Sequence, residues 1–451
     1  MPSPISSTRR LIFSLITTVL VITVPLGVVE ATLRVIYRDG GRTTLGAPGG
    51  QEFEHQLIDR ATERRTPPPS NPKSNGAERI VVFGDSITWG YGIHRWRDTY
   101  PNQLLTRLNA TGRPFDIEVF ANTGRNIDGH ARAAKSKMAA LDADFAIYQW
   151  FHNDLELHDR APRWRYFWRT WPASSWLTKH SDLYFVLDKQ LSQQAVAYGW
   201  GADRSYTQYV LDEYGPGTAG WTLFEDQFHR WATYSTVHAK HALVFLYPVV
   251  PFRGSYPLED LNARMRALAQ PHRLVYPAFW LRNQVGHNVP DPAGAGGVVR
   301  QSDGTEGILV SGPSIPLSRG HYEVTERLRL DQAANGSVAH LEITAGERVI
   351  AERTVMAPEC GQPGEWQTVT LELNLDDPLT PDVEWHVTVP RGVHLSVDSV
   401  SLPISYEHLD VVDLKDRLNA FDTHASVFDS HPNERAHAEI AKALSEWVLS
   451  K

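Results

Sequence analysis

Short, mainly apolar runs recur at 80–83, 117–121, 145–149, 243–247 and 409–414. Each has the length of a strand, and none keeps a strict apolar–polar alternation, which is the pattern of strands buried on both faces. Apolar residues return at helical spacing over 100–109, 130–141, 223–238, 258–269 and 434–448. Strand and helix in alternation predict an α/β unit whose mainly parallel sheet is covered on both sides by helices.

The alternation breaks between about 273 and 403, where the period becomes two. Tyr322, Val324, Leu328 and Leu330 are apolar at even spacing. So are Val369, Leu371 and Leu373, then Val383, Trp385, Val387 and Val389, and finally Leu395 and Val397. Gly, Pro, Asn and Asp punctuate these runs, as in an antiparallel β-sandwich. The α/β style resumes afterwards, so 272–404 is expected as an insertion into a host made of 78–271 and 405–451.

At the N-terminal end, Arg9 and Arg10 precede an uncharged, largely apolar stretch over 11–29. As a helix this stretch spans roughly 28 Å, close to the thickness of a hydrocarbon core. Residues 1–38 are therefore read as a single transmembrane anchor. Its N-terminus is expected to be cytoplasmic and the rest of the chain periplasmic or otherwise extracytoplasmic. The competing reading, a signal peptide cut after Ala31, needs an unusually long apolar region. Glu30 and Arg34, four apart, are expected to pair on one helical face. Residues 39–77, rich in Gly, Pro, Ser and charge, are expected to form a flexible tether.

Composition narrows the function classes. A chain of 451 residues exceeds one ordinary core. The formal net charge of -8, with no long basic run, argues against a nucleic-acid partner. The single cysteine, Cys360, excludes an internal disulfide and a multi-cysteine metal site. His152, Asp154, His158 and Asp159 lie close in sequence, but their spacing fits no familiar metal-ligand set.

The candidate chemistry sits at the ends of the apolar runs. Gly84-Asp85-Ser86 directly follows the first run. Ser86 is thus expected on a tight turn at the carboxyl end of a parallel strand, where such sheets bind ligands. Asp429-Ser430-His431 follows the last run and precedes the final helix. A histidine there can take a proton from Ser86, and the aspartate would fix its tautomer. Asn122-Thr123-Gly124 and Asn153-Asp154 follow the second and third runs. The Ser86 amide, an amide of the second turn and the Asn153 side chain form a candidate donor set for an oxyanion. Each signal alone is commonplace; four of them, in order and on one edge of the sheet, are not.

Val82-Phe83-Gly84-Asp85-Ser86-Ile87-Thr88 resembles the first block of the SGNH (GDSL-type) hydrolases. The stretch 122–129 resembles the second block, Asn153-Asp154 the third, and 429–433 with His437 the fifth. The resemblance spans roughly 78–271 and 405–451. It implies a flavodoxin-like three-layer fold with no metal and no cofactor. It implies ester hydrolysis through an acyl-serine, with Ser86 as nucleophile and oxyanion donor, Asn153 as a further donor, His431 as base and Asp429 orienting it. Three departures stand out. Phe151 occupies the place of a glycine two residues before the asparagine. Ile127 occupies the place of the second-block glycine, Gly124 being the nearest one upstream. One residue rather than two separates Asp429 from His431.

The inserted sandwich resembles a carbohydrate-binding jelly roll at 312–317, 320–324 and 395–398. Trp366 is a candidate for stacking on sugar rings, whereas Trp385 falls in phase with core positions. Three functions fit these features. The first is an ester hydrolase removing acyl groups, acetyl foremost, from a cell-envelope or exported polysaccharide. The second is a polysaccharide O-acyltransferase using the same triad. The third is a non-catalytic glycan-binding or scaffold protein. The expected partners are an acylated carbohydrate or other ester, and the membrane.

Overall fold

The computed structural model describes residues 7–36, 66–156 apart from 71, 75 and 94, then 171–198, 205–249, 254–419, 423–426 and 429–451. Most of the expected tether, up to residue 65, lies outside the described residues.

Four parallel strands, β1 (Glu78–Gly84), β2 (Phe115–Ala121), β3 (Ala143–Trp150) and β4 (Ala239–Leu246), are joined by a fifth at Leu409–Asp413. Across the sheet the order is Leu409–Asp413, β4, β3, β1, β2. This is the doubly wound order in which the direction of winding reverses between β1 and β3, opening a crevice at their carboxyl ends. Successive residues of the central strands point to opposite faces, and both faces are covered. Val81, Phe83, Ala146 and Tyr148 pack against helices Ile127–Leu141, Ala219–His238 and Glu259–Leu268. Ile80, Val82, Phe145 and Ile147 pack against helices Tyr100–Asn109 and Glu434–Leu449. Trp231 anchors the first face, fully buried, with its ring 5.0 Å from Tyr148 and edge-on to Phe83 at 6.2 Å. Loss of a buried ring of this size costs a domain roughly 3–5 kcal/mol.

The chain then makes an antiparallel β-sandwich whose strands run from His272–Pro277 to Leu395–Ile404. The period-two residues face inward: Val324, Leu328, Leu330, Val369, Leu371, Leu373 and Trp385 share one core. The long strand Trp366–Val389 shifts register after Leu375 and again after Thr380. Its first part pairs with Ile315–Leu330, and its last part pairs with Ser337–Ala345 and Gly307–Ser311. Tyr276 fastens the sandwich to the α/β unit by donating to Asp226 Oδ1 at 2.9 Å, and His229 Nε2 meets the Pro316 carbonyl at 2.8 Å.

Helix Ser7–Ile36 contains a stretch, Phe13–Val35, long and apolar enough to cross a membrane, and its side chains are exposed. Glu30 and Arg34 pair at 2.7 Å, as their spacing predicts, and both reach further. The Glu30 carboxylate accepts from Ser181 Oγ (2.9 Å), Asp182 N (3.2 Å) and Leu183 N (2.9 Å), at the N-terminus of helix Asp182–Tyr198. Arg34 donates to the His180 carbonyl at 2.8 Å, at the C-terminus of helix Ser174–His180. Each charge thus complements the helix end it touches.

Candidate active site

Ser86 opens the short helix Ser86–Trp89 directly after β1, and Asp85 caps that helix by accepting from Ile87 N at 2.8 Å. The turn is tight. A Cβ on Gly84 would stand 1.8 Å from Thr88 Oγ1 and 2.8 Å from Gln149 Oε1, so only glycine fits. Gln149, on β3, holds the turn through one oxygen, which accepts from Asp85 N at 3.1 Å and from the Thr88 hydroxyl at 3.0 Å.

His431 lies on the short strand Asp429–Pro432, ahead of helix Glu434–Leu449, whose first turn is capped by Asn433 accepting from Ala436 N. Its Nε2 is 2.9 Å from Ser86 Oγ, although the two residues are 345 positions apart. The Tyr91 ring lies against the imidazole, with centroids 4.5 Å apart. The backbone at Asp429 pairs with Ser426, while the Asp429 side chain lies outside the described residues.

Asn153 sits in the 3-10 turn His152–Leu155 after β3 and donates from Nδ2 to Asp85 Oδ2 at 3.0 Å. One hydrogen of the amide is committed there, and the second remains to serve another acceptor. Asp85 therefore joins the serine turn to Asn153. It is fully buried, and desolvation pushes its pKa up to about 6, with the nearby Asp154 adding to the rise. Behind it, His130 Nε2 stands 3.3 Å from Asp154 Oδ1, both side chains fully buried. Burial drives His130 down to about 3 and Asp154 well above the carboxylate range. Burial of both groups thus works against an ion pair between them.

The second turn carries Gly124 in the left-handed region (φ 71°), exposed at the rim, with no atom near where a Cβ would stand. Ile127 is the first residue of helix Ile127–Leu141, and its side chain is in the core. Phe151 is half-buried, with its ring edge-on to Tyr247 at 5.6 Å. In the sandwich, Trp385 is core, as its phase predicts, and the Trp366 ring carries the guanidinium groups of Arg327 and Arg329 at 4.7 and 4.6 Å.

Three contributors escape sequence reasoning. Gln149 had a visible cue, a polar residue inside an apolar run. The Asp85–Asn153 bond and the Tyr91–His431 contact had none, because both depend on how two turns meet in space.

No protein-family model matches the sequence, and no curated protein does. Among solved structures, TesA aligns over 43% of this chain and 73% of its own, at 12% identity and a TM-score of 0.27. The C-terminal CBM6 of LamC, a marine laminarinase from Zobellia galactanivorans, aligns over 30% of this chain and all of its own, at 18% identity and a TM-score of 0.24. A CBM6 from Cellvibrio mixtus lichenase 5A, in complex with cellotriose, aligns over 29% of this chain and 96% of its own, at 14% identity and a TM-score of 0.23. At these scores the likenesses carry no weight for function. The chain's own strand order and side-chain geometry define the class: a doubly wound α/β protein with an inserted β-sandwich and a serine–imidazole pair at the carboxyl edge of its sheet.

Proposed function

We propose that this chain is a membrane-anchored, extracytoplasmic serine ester hydrolase that removes acyl groups, acetyl foremost, from a polysaccharide. The observation that carries the reading is the 2.9 Å contact between Ser86 Oγ and His431 Nε2. That distance is the hydrogen-bond reach a general base needs.

In the proposed cycle His431 takes the Ser86 hydroxyl proton as Oγ attacks the ester carbonyl carbon. The oxyanion accepts from the Ser86 amide, the Gly124 amide and Asn153 Nδ2. The intermediate then collapses, the sugar oxygen leaves with the proton from the imidazolium, and an acyl-serine remains. Water, deprotonated by His431, releases the acyl group as a carboxylic acid. Asp429 is assigned the orienting role at Nδ1. The apolar helix supports the anchor over 1–38, with a tether over 39–77. The antiparallel unit at 272–404, inserted in a hydrolase domain of 78–271 and 405–451, is the element assigned to the carbohydrate.

The test is hydrolysis of an aryl acetate by the full chain in detergent. Ser86→Ala should abolish turnover while leaving the circular dichroism spectrum unchanged. An unaltered rate overturns the reading.

A further inference from the structure

Arg125 differs from Arg79 and Arg230, two ion-paired, buried or partly buried arginines of the α/β core. Arg79 pairs with Asp116 and Arg230 with Asp226. The Arg125 guanidinium is half-buried too, yet among the described residues no carboxylate bears on it. The charge it feels is that of Arg132, and burial together with this like charge pulls its pKa below the usual arginine value. Partial withdrawal of a cation from water without a counter-charge is unfavourable, and an anion bound beside it would offset that cost.

The position is built rather than incidental. A Cβ on Gly129 would come within 2.8 Å of Arg125 Cγ, so this glycine lets the arginine lie along helix Ile127–Leu141. The side chain lines a cavity of about 420 Å³ together with Asn122, Thr123, Gly124, Arg132 and Lys137. That volume falls in the range of small-ligand pockets, roughly 300–1,000 Å³. Asp128 is bound to Arg132 at 2.5 Å and offsets one of the three cations. The cavity therefore keeps a positive balance on a chain whose formal net charge is -8. Its location is also informative. Ala121 is paired with Gly84 in the sheet, so the turn after β2 and the serine turn leave neighbouring strands at the same level. Adjacent strands are about 4.8 Å apart.

We infer that this cavity is a subsite for an anionic sugar residue flanking the acylated one, and that the polysaccharide is acidic. A planar guanidinium is suited to two-point binding of a uronate carboxylate or a sulfate ester. The inference rests on the esterase reading for its place in a reaction, but binding can be measured without turnover.

The experiment is titration calorimetry on the full chain in detergent, in a Ser86→Ala background, with three oligosaccharides of equal length: a uronic-acid oligomer, a sulfated one and a neutral one. At least one anionic oligomer should bind at least about tenfold more tightly than the neutral one, and added salt should weaken it. The better of the two identifies the anion. Arg125→Gln should lose about tenfold or more of that affinity, and Arg125→Lys should retain part of it. Lys137→Gln should give a smaller loss in the same direction, which keeps the test open if the Arg125 variants fold poorly. Equal binding of neutral and anionic oligomers, or anionic binding indifferent to both glutamine substitutions, overturns the subsite. Failure of the esterase reading would show separately, as aryl-acetate turnover that survives Ser86→Ala.

Discussion

Asn153 donates its side-chain amide to Asp85 across 3.0 Å, and the same carboxylate caps the helix that starts at Ser86. Two turns from different strands are thereby fixed to each other through one buried group. If Asn153 stabilises an oxyanion, its removal is felt in the chemical step. Asn153→Ala should lower kcat by roughly 10²–10³-fold with little change in KM. Asp85→Ala, which frees the amide without deleting it, should lower kcat by a smaller factor. Steady-state kinetics on an aryl acetate checks both, and an effect confined to KM would contradict the assignment.

In the proposed esterase, the bulk of Phe151 close to Asn153 limits the room for the acyl group, which gives a second expectation. Phe151 is half-buried beside Tyr247 and two residues ahead of Asn153. Phe151→Ala should raise the butyrate-to-acetate rate ratio by about tenfold, the scale of discrimination that a change of one or two methylenes permits. A ratio that stays constant across aryl esters of increasing chain length would place Phe151 away from the acyl group.

How far the sequence foretold this arrangement follows from burial. The runs 80–83 and 145–149 lie inside β1 and β3 because those strands are covered on both faces, which favours apolar residues throughout; Gln149, the polar exception, is buried with its oxygen satisfied by Asp85 N and Thr88. The helix over 100–109 coincides with Tyr100–Asn109. Helices Ile127–Leu141 and Ala219–His238 begin three and four residues earlier than their apolar periodicity does. Their first turns are set by capping from Asn126 and Thr218, which a hydrophobic pattern does not register. The meeting of Ser86 and His431 was legible because both follow strands on the same edge. The contacts of Asp85, Gln149 and Tyr91 were not, since rotamers and neighbouring turns decide them.

Glu326 predicts a pH dependence of stability. It points into the sandwich core between Val324 and Leu328, and among the described residues its Oε2 has no hydrogen-bond partner. Burial raises its pKa from 4.5 to about 8. The unfolded chain loses this proton near pH 4.5 and the folded chain keeps it until about pH 8. The contribution to stability is therefore complete below the unfolded value and declines as pH climbs towards the folded one, by on the order of several kcal/mol. Unfolding midpoints should fall from pH 5 to pH 8, and Glu326→Gln should flatten the slope and stabilise the protein at pH 8. Parallel pH profiles for the two proteins would contradict this.

The junction at Glu30 supplies a fourth expectation. Three donors from residues 181–183 converge on one carboxylate. Glu30→Ala should speed hydrogen exchange at the Asp182 and Leu183 amides in detergent-solubilised protein, with exchange in β1 and β3 unchanged. Unaltered exchange at 182 and 183 would mean that the apolar helix does not dock there in solution.

The central claim is that the Ser86 hydroxyl, activated by His431, is the nucleophile. Fluorophosphonate labelling followed by peptide mass spectrometry reads this directly. One adduct is expected on Ser86, lost in His431→Ala, whose fold should persist because Asn433 still caps the final helix. Labelling at a different residue, or stoichiometric labelling that survives Ser86→Ala, would contradict it.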